Sequence, residues 1–327
     1  MIEFNSLNFR TWSKLGQRGA FFGVAAIDLG EQFDNLMIIT ADLASLSGLD
    51  RFKASFPEKF LNMGIAEQNM LAASAGLADE GKIVFCTTYA TFITMRSCEP
   101  LRHFLGYMKS NVKVVGSGAG LFMGLSGNTH YTLEDISIIR AIPNIVILSP
   151  ADAGEAVKMA LEAARFTGPM YIRLTGGLNA PMIYKEDYKF EIGKGVTIKE
   201  NSGDITIFAT GTMVYNALKA TEFLEKQNIA ARVINMHTIK PLDLEILIKY
   251  KDSSRLFVSI EEHNIIGGLG GAIAEQMSSL NFKIPLLRLG ISDEFKHAGD
   301  YNYMLEQNEL LPEQISKNIA QKYLSLS

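Results

Sequence analysis

The sequence predicts an α/β fold of two consecutive doubly wound domains, the first with a mostly parallel sheet and the second smaller. Three observations carry this. Short β-rich runs alternate with amphipathic segments along most of the chain, a pattern produced by parallel strands joined through covering helices. At 327 residues the chain is too long for one ordinary core and suits two units of roughly 150 residues. Between them, around 184–201, the periodicity lapses into a polar, charged, glycine-containing stretch.

The first domain, expected over 1–185, has strand signals at 36–40, 83–87, 112–115, 145–148 and 170–174, with an amphipathic helix over 151–166. A linker is expected at 186–200. The second domain, 201–327, repeats the alternation with strands at 205–209, 231–235, 256–260 and 285–289 and helices starting near Val214, Leu242 and Gly270. With 31 basic and 35 acidic residues the net charge is −4, and no basic run is present, which argues against a general nucleic-acid binder. The N-terminal residues lack a basic flank followed by an apolar core, and no apolar stretch is long enough to cross a bilayer; a cytoplasmic protein is expected. Cys86 and Cys98 read as ordinary thiols.

In open parallel sheets ligands gather beyond the carboxyl ends of strands, so polar residues just after strands weigh most. Thr40-Ala41-Asp42 follows the first strand, Thr87-Thr88-Tyr89 the second, and Gly116-Ser117-Gly118-Ala119-Gly120 the third. The last of these runs on through Gly127-Asn128-Thr129-His130, small residues that let a backbone approach a ligand, ending in a proton carrier. Asn62-Met63-Gly64 is a turn signal, and Ala66, Met70, Leu71, Ala73 and Leu77 form a helical stripe after it. Glu67 thus sits in a first helical turn, where backbone N–H groups favour negative charge; an ordinary acidic helix start and a ligand-directed acid are both consistent with that. Arg173 ends an apolar strand, and a cation there needs an anion, either a buried acid or a bound phosphate.

Taken in order, Gly64-Ile65-Ala66-Glu67-Gln68, Tyr89-Ala90-Thr91-Phe92, Ser126 through His130, Arg140-Ala141-Ile142-Pro143-Asn144 and Ser149-Pro150-Ala151-Asp152 resemble the pyrimidine-binding domain of transketolases. The 204–211, Ile239-Lys240-Pro241-Leu242-Asp243 and Glu261-to-Gly271 segments resemble the same family's C-terminal domain. The resemblance implies a thiamine-diphosphate enzyme that moves a two-carbon glycolaldehyde unit from a ketose phosphate to an aldose. It implies Glu67 as the acid that hydrogen-bonds the aminopyrimidine, Phe92 as the aromatic stacked on it, and Asp42 and Met95 at the cofactor. It implies His130 at the reacting oxygens, catalytic together with Glu67, and His130, Arg173, Arg18 and Ser126 as substrate contacts. Glu261, Glu262 and His263 are expected to be structural.

The family's diphosphate-binding Gly-Asp-Gly is missing; Gly203-Asp204-Ile205 leads into a strand instead. A hard cation wants oxygen ligands, and no metal site is expected in this chain. The resemblance therefore implies the C-terminal subunit of a split transketolase, whose N-terminal partner carries Gly-Asp-Gly, the diphosphate and Mg²⁺, in an α₂β₂ assembly. A β subunit of a 2-oxoacid dehydrogenase and a non-catalytic regulatory subunit are the rival readings. Departures from the family pattern bear on the substrate. Ser126 stands where many members carry an acid, Gly118 where they carry a histidine, and Met95 and Cys98 where they carry aromatics. A site built around a carboxylate would not recognise the same hydroxyls with a serine, which puts the usual pentose phosphates in doubt and leaves both an ordinary ketose phosphate and a specialised or modified ketose open.

Overall fold

The computed structural model describes residues 2–326. In chain order its strands are β1 (Leu36–Thr40), β2 (Phe60–Asn62), β3 (Ile83–Tyr89), β4 (Val112–Ala119), β5 (Val146–Leu148), β6 (Met170–Thr175), β7 (Val196–Lys199), β8 (Ile205–Ala209), β9 (Ala231–Asn235), β10 (Thr238–Lys240), β11 (Leu256–Asn264) and β12 (Leu286–Ile291). They form a seven-stranded sheet ordered β10-β5-β6-β4-β3-β1-β2 and a five-stranded sheet ordered β12-β11-β8-β9-β7. Every pairing is parallel except β10 on β5 and β7 on β9. Two α/β domains with mostly parallel sheets result, as expected.

Burial on both faces explains the strand signals. β1 reads Leu-Met-Ile-Ile-Thr and is buried at every position, because helices cover both sides of a parallel sheet. One face packs on helices Ser6–Ala20 and Ala153–Arg165 through Phe9, Trp12, Phe21, Leu36 and Ile172. The other face packs through Ile39, Met70, Leu71, Val84 and Val114. Each such side chain is worth about 1.5–3 kcal/mol when removed from water, and truncating Leu36 to alanine would cost roughly 2–5 kcal/mol because the cavity cannot fully collapse.

Helix Ala153–Arg165 starts at Asp152, whose Oδ1 accepts the Glu155 N–H at 2.8 Å, the ordinary way to satisfy a free donor at a helix start. The N-terminal helix bends at Gly16, where φ is +68° and a Cβ would lie 2.2 Å from the Gly177 carbonyl oxygen. Only glycine permits that bend and that approach together.

The polar 186–200 stretch is not bare connection: β7 lies within it and edges the second sheet. β10 crosses the other way and adds an antiparallel edge to the first sheet. A shared apolar cluster joins Leu121, Tyr131, Leu133 and Ala151 of the first domain to Ile207, Val214 and Ile260 of the second. Among the described residues no helix is long and apolar enough to cross a membrane. Both cysteines are free thiols, Cys86 buried and Cys98 exposed.

Candidate functional site

β1, β3 and β4 end on the same edge of the first sheet, and the residues beyond them converge there. Helix Glu67–Asp79 begins at this edge, and its buried face is Glu67, Met70, Leu71, Ser74 and Ala75. Ala73 and Leu77 of the anticipated stripe are only half buried. A carboxylate thus occupies the first position of an otherwise apolar and small-residue face. Its side chain is 6% exposed and pairs with the Arg96 guanidinium, Nη1 to Oε1 at 3.0 Å. The same guanidinium lies 3.9 Å from the centre of the Phe92 ring. Glu67, Gln68, Asn69 and Arg96 border an open depression of about 520 Å³.

Phe92 belongs to an aromatic group at the mouth of the sheet. Its ring centre is 5.7 Å from that of Tyr89 and 5.5 Å from the His130 imidazole. His130 is half buried, with Nδ1 2.9 Å from the Thr129 hydroxyl. Met95, one residue before Arg96, is exposed, with its sulfur 3.7 Å from the Thr91 hydroxyl. Ser126 is exposed in the short turn Gly124–Ser126.

Asp42, two residues past the end of β1, is left-handed with φ +61°, a conformation uncommon for a non-glycine residue. Its bonding partner is Asn62, whose Oδ1 accepts the Asp42 N–H and the Gly64 N–H, both at 3.0 Å, and whose Nδ2 donates to Asp42 Oδ1 at 3.2 Å. Asn62 reads from sequence only as part of a turn; its role in linking the ends of β1 and β2 to the Glu67 turn depends on a pairing 20 residues away.

Arg18 lines a smaller cavity of about 210 Å³ with Ser45, Ser47, Phe122, Gly176 and Leu178. Among the described residues no carboxylate lies within ion-pair distance of its guanidinium, and burial draws its pKa below the ordinary value, opposed in part by Tyr89. A half-buried cation without an acid partner can receive an anion.

Arg173 does not share this position. It is 1% exposed, and its Nε donates to Asp135 Oδ2 at 2.7 Å while Nη2 donates to the Glu262 carbonyl at 2.8 Å. Of the two anions open to it, the buried acid is the one present, and the expectation that it grips substrate is corrected. Glu262 in turn accepts from Leu121 N at 2.6 Å, from Thr212 Oγ1 at 2.6 Å and from Tyr301 Oη at 2.7 Å. Burial raises its pKa, with those donors opposing.

Glu261 accepts the Leu269 and Gly270 N–H groups at 2.6 and 2.8 Å and so caps helix Leu269–Ser279. Burial pushes its pKa to about 7 despite those bonds, and pushes His263 down to about 4. All three side chains are buried and bonded within the fold. Gly116 in β4 and Gly120 just after it serve the same junction: a Cβ at Gly116 would meet the Tyr171 hydroxyl at 2.5 Å, and one at Gly120 the Glu262 carboxylate at 2.2 Å. Their close approaches are to side chains of this chain, where a ligand was anticipated. Gly118 does face the site, with φ +65° and Met123 against it.

Two family models match the chain: the transketolase pyrimidine-binding domain over residues 18–180 and the transketolase C-terminal domain over 193–314. A putative transketolase C-terminal section from Methanocaldococcus jannaschii is 41% identical, covering 92% of this chain and 94% of that protein.

The chain belongs to the transketolase family.

Its arrangement is that of the C-terminal subunit of a split transketolase. A solved structure described as a split-gene transketolase in an inactive β4 tetramer superposes with TM-score 0.86 at 37% identity, covering 95% of this chain and 99% of that one. A 6-deoxy-6-sulfo-D-fructose transketolase subunit from a Clostridium species is 36% identical over 88% of this chain and 89% of its own. One subunit of an apulose-4-phosphate transketolase from Phocaeicola vulgatus is 35% identical over 82% of this chain and 85% of its own. A 1-deoxy-D-xylulose-5-phosphate synthase from Caldanaerobacter subterraneus is 33% identical over 92% of this chain, which spans 48% of that longer protein.

Transketolases depend on thiamine diphosphate, and the residues present fit its pyrimidine ring. A planar N–H donor already rests on Phe92 and on Glu67 at once, in the form of the Arg96 guanidinium. An aminopyrimidine, flat and with a ring nitrogen to engage an acid, asks for the same two surfaces. Among the described residues no group of three or more His, Cys, Asp or Glu side chains could hold a metal ion.

Proposed function

We propose that this transketolase chain builds the pyrimidine half of a thiamine-diphosphate site. With an N-terminal partner supplying Gly-Asp-Gly and the Mg²⁺ ligands, it moves a two-carbon glycolaldehyde unit from a ketose phosphate to an aldose. The observation that carries the reading is the buried Glu67 carboxylate beside the Phe92 face, both engaged by one planar cation.

When bound, thiamine diphosphate supplies a carbon nucleophile and a sink for the electron pair released as the ketose C2–C3 bond breaks. Glu67 holds a proton against the pyrimidine ring nitrogen. Its first-turn position places the carboxylate at the positive end of the helix dipole. Phe92 sets the plane of the ring and keeps water from one face, and Met95 borders it. Asp42, fixed by Asn62, presents a carboxylate to the cofactor from the neighbouring strand end. His130, in contact with the Phe92 ring, moves protons at the sugar oxygens, and Ser126 lies in the turn before it. Arg18 holds the anionic end of the sugar.

The substrate we propose is a modified ketose bearing such an anionic end. Three observations support it: Ser126 in place of an acid, Met123 filling the space beside Gly118, and two relatives named for a sulfo-fructose and for apulose 4-phosphate.

The test mixes the purified chain with its partner subunit, thiamine diphosphate and Mg²⁺, and screens phosphorylated and sulfonated ketoses against aldose acceptors. Aldose release is expected only with both subunits. Turnover by this chain alone would sink the split-site reading. Release of CO₂ from pyruvate, with no aldose from any ketose, would move the chain to the 2-oxoacid dehydrogenase branch.

A further inference from the structure

Arg96 was not anticipated at the site. It follows Phe92 by four residues at the end of the single-turn helix Phe92–Arg96, and its carbonyl accepts from Gln68 Nε2 at 2.8 Å, which ties this turn to the start of helix Glu67–Asp79. Its side chain is half exposed at 50%, whereas Glu67 is 6% exposed, so the cation can leave for water and the carboxylate cannot. A buried carboxylate without a partner is costly, and Arg96 is the cation paired with it. The guanidinium also covers Phe92 at 3.9 Å. It is flat, donates N–H bonds and stacks on aromatic rings, the properties that suit an aminopyrimidine to the same place. One carboxylate and one ring face cannot serve both planar groups together.

We propose that Arg96 is a placeholder for the cofactor's pyrimidine. It keeps Glu67 neutralised and Phe92 covered in the empty subunit, and it swings out when the cofactor enters, so cofactor uptake is a displacement. This rests on the reading of the site given above. The ion pair is half exposed, so salt weakens it, and with it the competition.

The experiment is equilibrium dialysis of thiamine diphosphate with Mg²⁺ against the chain combined with its partner subunit, comparing the natural chain, Arg96→Ala and Arg96→Lys. Removing an exposed ion pair and its stacking contact should tighten cofactor binding about three- to tenfold, with Arg96→Lys in between, because lysine keeps the charge and loses the flat face. The gap between the natural chain and Arg96→Ala should narrow as salt rises. The chain alone should respond in the opposite direction: Arg96→Ala lowers its melting temperature, since Glu67 stays buried without its partner. Equal or weaker cofactor binding by Arg96→Ala overturns the placeholder. A complex that binds no thiamine diphosphate, with arginine or alanine at 96, overturns the reading of the site itself.

Discussion

Two regions of this molecule hold acids, cations and aromatics in similar numbers and differ in how their polar atoms are used. At the junction of the domains, Arg173, Asp135, Tyr171 and Glu262 are buried and bonded into one network, with Thr212 and Tyr301 joining it from a half-buried rim. At the edge of the first sheet, Glu67 has one partner that can swing away, Arg18 has no acid among the described residues, and Phe92 and His130 stand at the surface of the fold. Residue type does not separate the two; enclosure does, since the junction's charges meet their partners inside the fold while the cation at the sheet edge is half exposed. A buried network that satisfies itself holds a structure together, whereas groups left with spare capacity can be completed by a ligand.

The sharpest way to break that comparison is Glu67→Gln. The amide keeps the size and loses the acid, and general acid–base help is worth about 10²- to 10⁴-fold, so turnover of the reconstituted complex should fall by at least about 10²-fold. The melting temperature of the chain should move little, since Arg96 can leave for water. Retained turnover would remove Glu67 from the chemistry.

Arg173→Met tests the other region. Taking one partner from a buried ion pair leaves Asp135 uncompensated and costs roughly 3–5 kcal/mol, read by denaturant unfolding. A stable variant with a raised KM for the donor would instead return Arg173 to the substrate site.

The junction also carries a pH signature. His237 lies between β9 and β10 against the Phe190 ring, and burial pushes its pKa from 6.5 to about 4. The unfolded chain takes up a proton below 6.5 and the folded chain does so only near 4, so stability from this group is intact above 6.5 and is lost as pH falls toward 4. His237→Phe keeps the ring packing and removes the titration. Its stability, measured by urea unfolding between those limits, should fall with acid less than the natural chain's, by up to about 3 kcal/mol. Identical acid profiles would show that His237 is accessible to protons in the folded state.

Much of this architecture was legible, and the illegible parts share a cause. β1, β8 and β9 match their anticipated bounds because a strand buried on both faces must be apolar throughout. β10 was not anticipated: Thr238-Ile239-Lys240 is three residues long and runs into Pro241, and what makes it a strand is β5, some 90 positions earlier in the chain. Arg173 shows the same limit within a site. Its strand and its need for an anion could be read, but Asp135 sits 38 positions away and nothing local says which anion is met. Arg96 and Glu67 are 29 apart, on two elements that join only after the sheet has formed. Local chemistry was readable and long-range pairing was not.

Arg18→Ala bears on the open side of the comparison most delicately. No carboxylate among the described residues pairs with this guanidinium, so its loss should leave stability within about 0.5 kcal/mol, the range of a substitution that breaks no bonded network. A charge-assisted contact to an anionic sugar is worth about 1.5–3 kcal/mol, which converts to a KM for the donor roughly 10- to 100-fold higher. The cavity around it also holds Ser45, whose hydroxyl donates to Asp50 at 2.8 Å. Steady-state kinetics with a phosphorylated ketose and its neutral analogue separates the cases. A selective loss with the anionic donor supports Arg18 as its anchor; equal losses with both would make Arg18 a support for the loop at Ser45, and the anion would then be met by the partner subunit.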